Sequence, residues 1–237
     1  NGAHNFLYGA DMKYTKTRLL DPAVTTFPRL ETAMIESTYG SKNDIMPPRS
    51  ESENIIIELI KKTIEREGKV LIPELGLGRA QETMLILDDA IKSGKLPPIP
   101  VYIDGMIWDI NAIHTAYPDY LSQSVKNLIF QDKNPFVSDT FKRVGSTMER
   151  REVIEGGPCV VLATSGMLVG GASVEYFKNF ADNPKNLIIF GCYQGPGSAG
   201  RAVSEGAKVV KLPEALGGDT IEVKMQVETM SGLSAHS

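Results

Sequence analysis

Four short apolar runs set the frame for this chain: Val70-Leu71-Ile72-Pro73, Val101-Tyr102-Ile103-Asp104, Cys159-Val160-Val161-Leu162-Ala163 and Leu187-Ile188-Ile189-Phe190. None alternates apolar with polar residues along its length. Each therefore reads as a strand buried on both faces, as in a parallel sheet covered by helices. The segments between them carry helical periodicity. Ile55, Ile56, Leu59, Ile60 and Ile64 recur at helical spacing behind Ser50 or Ser52, either of which can cap, and Gly68 closes the segment. Further helices are expected over residues 80–91, through Ile107, Ile110 and Ile113, over 172–180, and near 199–205. Strands are also expected at 5–10, 33–36, 209–212 and 220–227, whereas 126–151 reads as loop and short helix. The fold class that follows is α/β, a mostly parallel Rossmann-like sheet with helices on both faces.

The chain has 237 residues, 42% apolar and 23% charged, enough for one large or two small domains with real cores and too apolar for disorder. No apolar run approaches the ~20 residues of a membrane-spanning helix. Asn1-Gly2-Ala3-His4 lacks a basic-then-apolar targeting pattern, so a cytoplasmic chain with no membrane partner is expected. A net charge of −4 leaves no global basic field, and any polyanion must be bound by a local patch. Cys159 and Cys192 both lie in apolar strand contexts and read as buried free thiols in a reducing compartment.

Two strand-end loops have the chemistry of an anion cradle: Thr164-Ser165-Gly166, and Gly191 through Gly197-Ser198 to Arg201. A third, Gly76-Leu77-Gly78-Arg79, opens a helix. It reads either as a structural strand-to-helix turn or as helix amides and Arg79 facing a phosphate. The only histidines are His4, His114 and His236, and none is spaced as a metal ligand from another His or Cys. His114 reads as structural, whereas His236 lies in the small-residue turn Ser231 to His236, which can present an imidazole at a surface. Glu36 follows an apolar strand and is either an ordinary strand-end acid or a carboxylate that orients a histidine. Asp11 has the same ambiguity.

Taken in order, Tyr8-Gly9-Ala10-Asp11, Glu36-Ser37-Thr38-Tyr39-Gly40, Leu71-Ile72-Pro73 with Gly78-Arg79-Ala80-Gln81-Glu82, Ser165-Gly166-Met167, Gly191 to Arg201 and Ser234-Ala235-His236 resemble the β-CASP family of metallo-β-lactamase-fold nucleases. Archaeal members related to the cleavage and polyadenylation specificity factor are similar throughout. The resemblance implies a β-CASP domain over residues 40–230, flanked at 1–39 and 231–237 by short pieces of a metallo-β-lactamase αββα domain. It implies that Asp11 is a zinc ligand bridging two ions, and that Glu36 and His236 form an acid–base pair whose histidine protonates the leaving oxygen. Hydrolysis of single-stranded RNA follows, of the kind used in mRNA 3′-end processing, maturation or decay. Arg79, Ser165, Gly166, Gly197, Ser198 and Arg201 would then line the groove for the RNA backbone.

The chain departs from the family pattern at Ala10, where glycine is common, at Glu74, where small residues are usual, and at Pro196-Gly197-Ser198, where an acidic-Gly-Thr pattern is more common. The His-x-His-x-Asp-His zinc motif is absent from the 237 residues, so the chain reads as a fragment with an incomplete metal set and no nuclease activity of its own. A non-catalytic RNA-binding scaffold of the same fold is the alternative, and a small-molecule domain of Rossmann type a third. The resemblance also allows a homodimer in the whole protein.

Overall fold

A computed structural model describes residues 3–234 and His236. The chain begins with β1 (Phe6–Tyr8) and β2 (Thr32–Met34), a two-stranded parallel ribbon with Phe6 opposite Thr32 and Tyr8 opposite Met34. The rest follows as α1 (Arg49–Glu65), β3 (Val70–Pro73), α2 (Arg79–Lys92), β4 (Val101–Asp104), α3 (Ile107–Ala116), α4 (Gln123–Phe130), β5 (Phe141–Val144), α5 (Thr147–Glu155), β6 (Val160–Ala163), α6 (Ala172–Phe180), β7 (Leu187–Phe190), α7 (Ala199–Ser204), β8 (Val209–Lys211), β9 (Thr220–Glu222) and β10 (Gln226–Thr229).

Six strands form one sheet in the order β10-β7-β3-β6-β4-β5, and every pairing in it is parallel. All residues of β3, β6 and β7 are buried, which is why their apolar runs do not alternate. Successive side chains still point to opposite faces and divide between two cores. Leu71, Val161, Ala163, Ile188 and Phe190 pack with Tyr176, Phe177 and Phe180 of α6, Val153 of α5, and Val210 and Ile221 of the β8–β9 hairpin. Val70, Ile72, Val160, Leu162, Leu187 and Ile189 pack with Ile56 and Ile60 of α1, Met84 and Leu87 of α2, and Ile107 of α3. Truncating a fully buried aromatic such as Phe177 to Ala would destabilise the first core by roughly 3–5 kcal/mol.

The structure differs from the pattern reading in two places. Residues 126–151, read as loop and short helix, also contain the edge strand β5, while the short helix α5 begins within them at Thr147. Lys142 and Arg143 are exposed on β5, the usual protection of a sheet edge, and they mask its periodicity. The single strand expected over 220–227 is two. The amides of Lys224 and Met225 turn aside to Ala181 O, at 2.7 and 2.9 Å, so β9 ends in the hairpin and β10 enters the main sheet beside β7.

The connection from β3 to β4 carries α2 on one face and passes over β6. That from β6 to β7 carries α6 on the other face and passes over β3. The loops leaving the carboxyl ends of β3 and β6 thus part toward opposite faces, the topology that opens a ligand crevice in α/β sheets.

Candidate functional site

Because β1 and β2 run parallel and in register, both deliver their carboxyl ends to the same side of the ribbon. Asp11 follows the first and Glu36 the second. Glu36 Oε1 accepts from Met12 N at 3.1 Å and lies 2.9 Å from His236 Nδ1, while Oε2 accepts from Thr38 N at 3.1 Å. The Thr38 hydroxyl, followed by the Met12 amide, His236 and the Thr38 amide, outweighs desolvation and pulls the Glu36 carboxyl down to about 2. Glu36 is therefore ionised at neutral pH and accepts the Nδ1 proton. Asp11 Oδ1 stands 4.0 Å from the same nitrogen on a side chain 77% exposed. Tyr39 meets the imidazole edge-on with ring centroids 6.4 Å apart, and Lys13 Nζ donates to the His236 carbonyl at 2.6 Å. Among the described residues Nε2 of His236 has no partner.

The segment carrying Lys13 is tied to the sheet domain through Glu82 of α2. That buried carboxylate accepts the backbone amides of Arg18 and Leu19 at 2.8 and 2.7 Å and also binds the Arg49 guanidinium. Arg79, Gln81 and Glu82 of one motif thus have separate tasks. Gln81 Oε1 accepts from Gly78 N at 2.7 Å, and the amides of Arg79 and Ala80 go to Leu77 O and Leu75 O. Gly78, at φ 78°, supplies the left-handed residue this tight turn requires. These first amides are consumed within the turn and do not face an anion, so only the half-buried Arg79 side chain is left free. It makes no ion pair among the described residues.

The remaining rim residues gather at the ends of β6 and β7. Ser165 Oγ accepts from Val169 N at 3.1 Å, and Gly166 O accepts from Gln194 Nε2 at 2.9 Å. Ser198 Oγ accepts from Arg201 N at 3.1 Å as the cap of α7 and donates to Gly195 O at 2.8 Å. The Arg201 guanidinium is exposed and paired with Glu205 at 2.6 Å. Gly197, at φ 79°, makes the bend before this cap. A methyl group on Gly200 would overlap Gln194 Oε1 and crowd the Met167 carbonyl, which fixes how closely this loop lies on the β6 loop.

Pattern reading missed the buried polar groups beneath the rim. Glu74, 1% exposed at the end of β3, takes the Thr83 hydroxyl on Oε1 at 2.7 Å, while its buried Oε2 has no partner. Burial pushes its carboxyl up to about 7 against the opposing pull of Arg79 and Thr83. Its occurrence where small residues are usual was the only signal. Cys159 is buried as expected but Cys192 is half-buried, its Sγ 3.4 Å from Gly166 O; burial pushes the thiols up to about 11 and about 12. His114 packs edge-on against Phe136 with Nδ1 2.9 Å from Ile110 O, a structural role. A separate cleft of about 1370 Å³, lined by Lys16, Arg18, Asp88, Lys133 and neighbours, carries charges of both signs and lacks Glu36 and His236.

The described residues do not fit the two zinc ions that the resemblance implies: no group of three or more His, Cys, Asp or Glu side chains among them is arranged to hold a metal. The physical reason is visible at the pair. Nδ1 of His236 faces Glu36, both Glu36 oxygens accept backbone amides, and Asp11 alone offers an uncommitted carboxylate. No helix among the described residues is long and apolar enough to cross a membrane.

Comparison with known proteins agrees with this architecture. Transcription termination factor FttA of Methanocaldococcus jannaschii is 51% identical over 239 residues, covering 100% of this chain and 38% of the relative. The proteins of the same name from Thermococcus kodakarensis and Methanosarcina mazei are 48% and 44% identical, each over 240 residues and 100% of this chain, and over 37% and 38% of their own lengths. The chain thus spans less than two fifths of these relatives. The Beta-Casp domain model matches residues 80–203, more than half of the chain, from the first turn of α2 to α7. This chain belongs to the Beta-Casp domain family.

Proposed function

We propose that this chain is the β-CASP part of an enzyme that hydrolyses RNA phosphodiester bonds, and that it serves transcription termination as its relatives' name says of them. The observation that carries the reading is the 2.9 Å contact between His236 Nδ1 and the ionised Glu36, whose two oxygens are fixed by backbone amides. Held in this way, the imidazole cannot rotate freely, and its unpartnered Nε2 is the atom that hands a proton to the departing oxygen. The strand-end rim carrying Arg79, Ser165, Gly166, Gly197, Ser198 and Arg201 orients the RNA backbone. The residues described do not complete a zinc site; Asp11 would be this chain's contribution to one assembled with other donors.

The test is cleavage of end-labelled single-stranded RNA by the whole protein. His236→Ala is expected to lower the rate roughly 10²- to 10⁴-fold, the usual contribution of a general acid. Cleavage undiminished by the substitution overturns the acid–base role. Tight RNA binding with no cleavage by the wild type supports a non-catalytic scaffold instead.

A further inference from the structure

The loops that leave β3, β6 and β7 meet at Gly166. A Cβ there would stand 2.6 Å from Cys192 Sγ and 3.2 Å from Leu75 N, so no side chain fits between them. Around this junction each loop turns a large apolar side chain into solvent: Leu75 at 48% exposure, Val169 at 57% and Tyr193 at 69%. Single exposed apolar residues are ordinary on protein surfaces. Three from one junction, at the carboxyl end of the sheet where the crevice opens, call for a cause.

Tyr193 is the one aromatic residue in these loops, over 74–78, 164–171 and 191–198, and the chain on both sides of it is fixed. Before it, Cys192 Sγ lies 3.4 Å from Gly166 O. After it, the buried Gln194 donates from Nε2 to Gly166 O at 2.9 Å and to Cys192 O at 3.1 Å. A Cβ at Gly195 would stand 3.9 Å from Tyr193 Cε1 and 3.4 Å from Met167 Sδ, so the bare glycine leaves room for the ring edge and the thioether together. Among the described residues the Tyr193 hydroxyl has no hydrogen-bond partner, and the fold makes no use of the polar tip. With its backbone anchored and only two side-chain torsions, the ring loses little freedom when a planar group stacks on it. The same turn also carries a cation. Gly195 O accepts the Ser198 hydroxyl at 2.8 Å, Ser198 Oγ accepts Arg201 N at 3.1 Å to cap α7, and the Arg201 guanidinium is exposed. One small unit thus offers an apolar face for a base and a charge for the phosphate of the same strand. An apolar protein surface laid over the ring would bring no counterpart to that guanidinium.

We infer that Tyr193 is the stacking platform for one unpaired base of the bound strand, at the junction it shares with Leu75 and Val169. This rests on the RNA reading above and adds to it a contact with a base, where the rim residues contact the backbone. A ring face accepts every base and favours the larger ones, so the platform contributes affinity and a preference for a purine at one position without hydrogen-bond readout.

The experiment measures binding of fluorescein-labelled oligouridine to the whole protein as a function of salt, with a single abasic site moved along the strand. Tyr193→Ala is expected to weaken binding roughly 5- to 150-fold, the range for one base stacked on an aromatic ring. The slope of log affinity against log salt should not change, because no charge is lost. Tyr193→Phe should bind as the wild type does, and Tyr193→Leu nearly as weakly as the alanine variant. In the wild type one abasic position should cost as much as Tyr193→Ala, and in that variant the same position should cost nothing more. A thermal melt checks that each variant is folded; if Tyr193→Ala is not, Tyr193→Leu and the abasic series on the wild type still decide the matter. Unchanged affinity in both variants with no sensitive abasic position overturns the platform and leaves the RNA reading standing. Unchanged affinity with a large fall in melting temperature assigns the ring to a protein contact and overturns the platform equally. Absence of any oligouridine binding by the wild type overturns the RNA reading itself.

Discussion

Glu36 and His236 touch through Oε1 and Nδ1 at 2.9 Å although 200 positions separate them. The contact is rigid from the carboxylate side, because Met12 N and Thr38 N each donate to a different Glu36 oxygen. Glutamine at position 36 would keep the volume but turn an NH₂ toward one of those amides, and the neutral side chain would no longer balance charge on the ring. Glu36→Gln is therefore expected to lower RNA turnover by the whole protein about 10²-fold or more while RNA affinity stays within a few-fold. Single-turnover cleavage alongside anisotropy binding separates the two. Equal losses of both would show that the carboxylate acts only on the fold.

A second carboxylate sets a pH dependence of stability. Glu74 has its folded pKa raised from 4.5 to about 7 by burial. Below pH 4.5 both folded and unfolded chains hold the proton, and stability is full. Between 4.5 and about 7 the unfolded chain releases it first, so stability falls as pH rises, by about 3 kcal/mol in total. Above that range the curve is flat again. Glu74→Gln can still accept from Thr83 and should remove this slope. Urea denaturation at pH 5 and pH 8 checks it: parallel changes in wild type and variant would assign the pH dependence to other groups.

What was legible from residue pattern, and what was not, follows from which forces act locally. Strands β3, β6 and β7 were plain because burial on both faces left no polar residue in them. β5 was hidden by Lys142 and Arg143, whose exposure at a sheet edge is a property of tertiary position. The break between β9 and β10 depends on the Ala181 carbonyl, more than 40 residues away in sequence, and no local pattern encodes it. At the site, the contact of Glu36 with His236 was suggested by ordered motif resemblance rather than by spacing. The surroundings of Lys13 and Glu74 could not be read from pattern for a common reason. An exposed lysine and a half-buried one, or a surface glutamate and one whose Oε2 is stranded in a core, differ only after the chain has folded.

A buried carboxylate at the end of β4 should also weigh heavily on stability. Asp104, at the end of β4, accepts a two-pronged bond from Arg150 at 2.7 and 3.0 Å and another from the Tyr176 hydroxyl at 2.9 Å. Its side chain is 3% exposed. Arg150→Ala leaves that carboxylate with the tyrosine alone and should destabilise the chain by roughly 3–5 kcal/mol, a fall in melting temperature on the order of 10 °C for this size. Adding Asp104→Asn removes the stranded charge, so the double variant should melt above the single Arg150→Ala variant. A double variant that melts lower still would mean that the charge is not what makes the single substitution costly.

Arg201 offers a contrast in which stability and binding separate. Its guanidinium is exposed and paired with Glu205, the C-cap residue of α7, four positions on. Such pairs contribute about 0.3–0.5 kcal/mol, little enough for a phosphate to displace the carboxylate. Arg201→Ala should thus leave the melting temperature within about 2 °C yet reduce the salt slope of oligouridine binding by about 0.7. Glu205→Ala tests the same competition from the other side. It frees the guanidinium without moving the Ser198 cap, and affinity should rise while the slope is kept or steepened. If Arg201→Ala leaves the slope unchanged, the guanidinium serves α7 alone, and the RNA path along the rim must turn away from the β7 loop toward the end of β3.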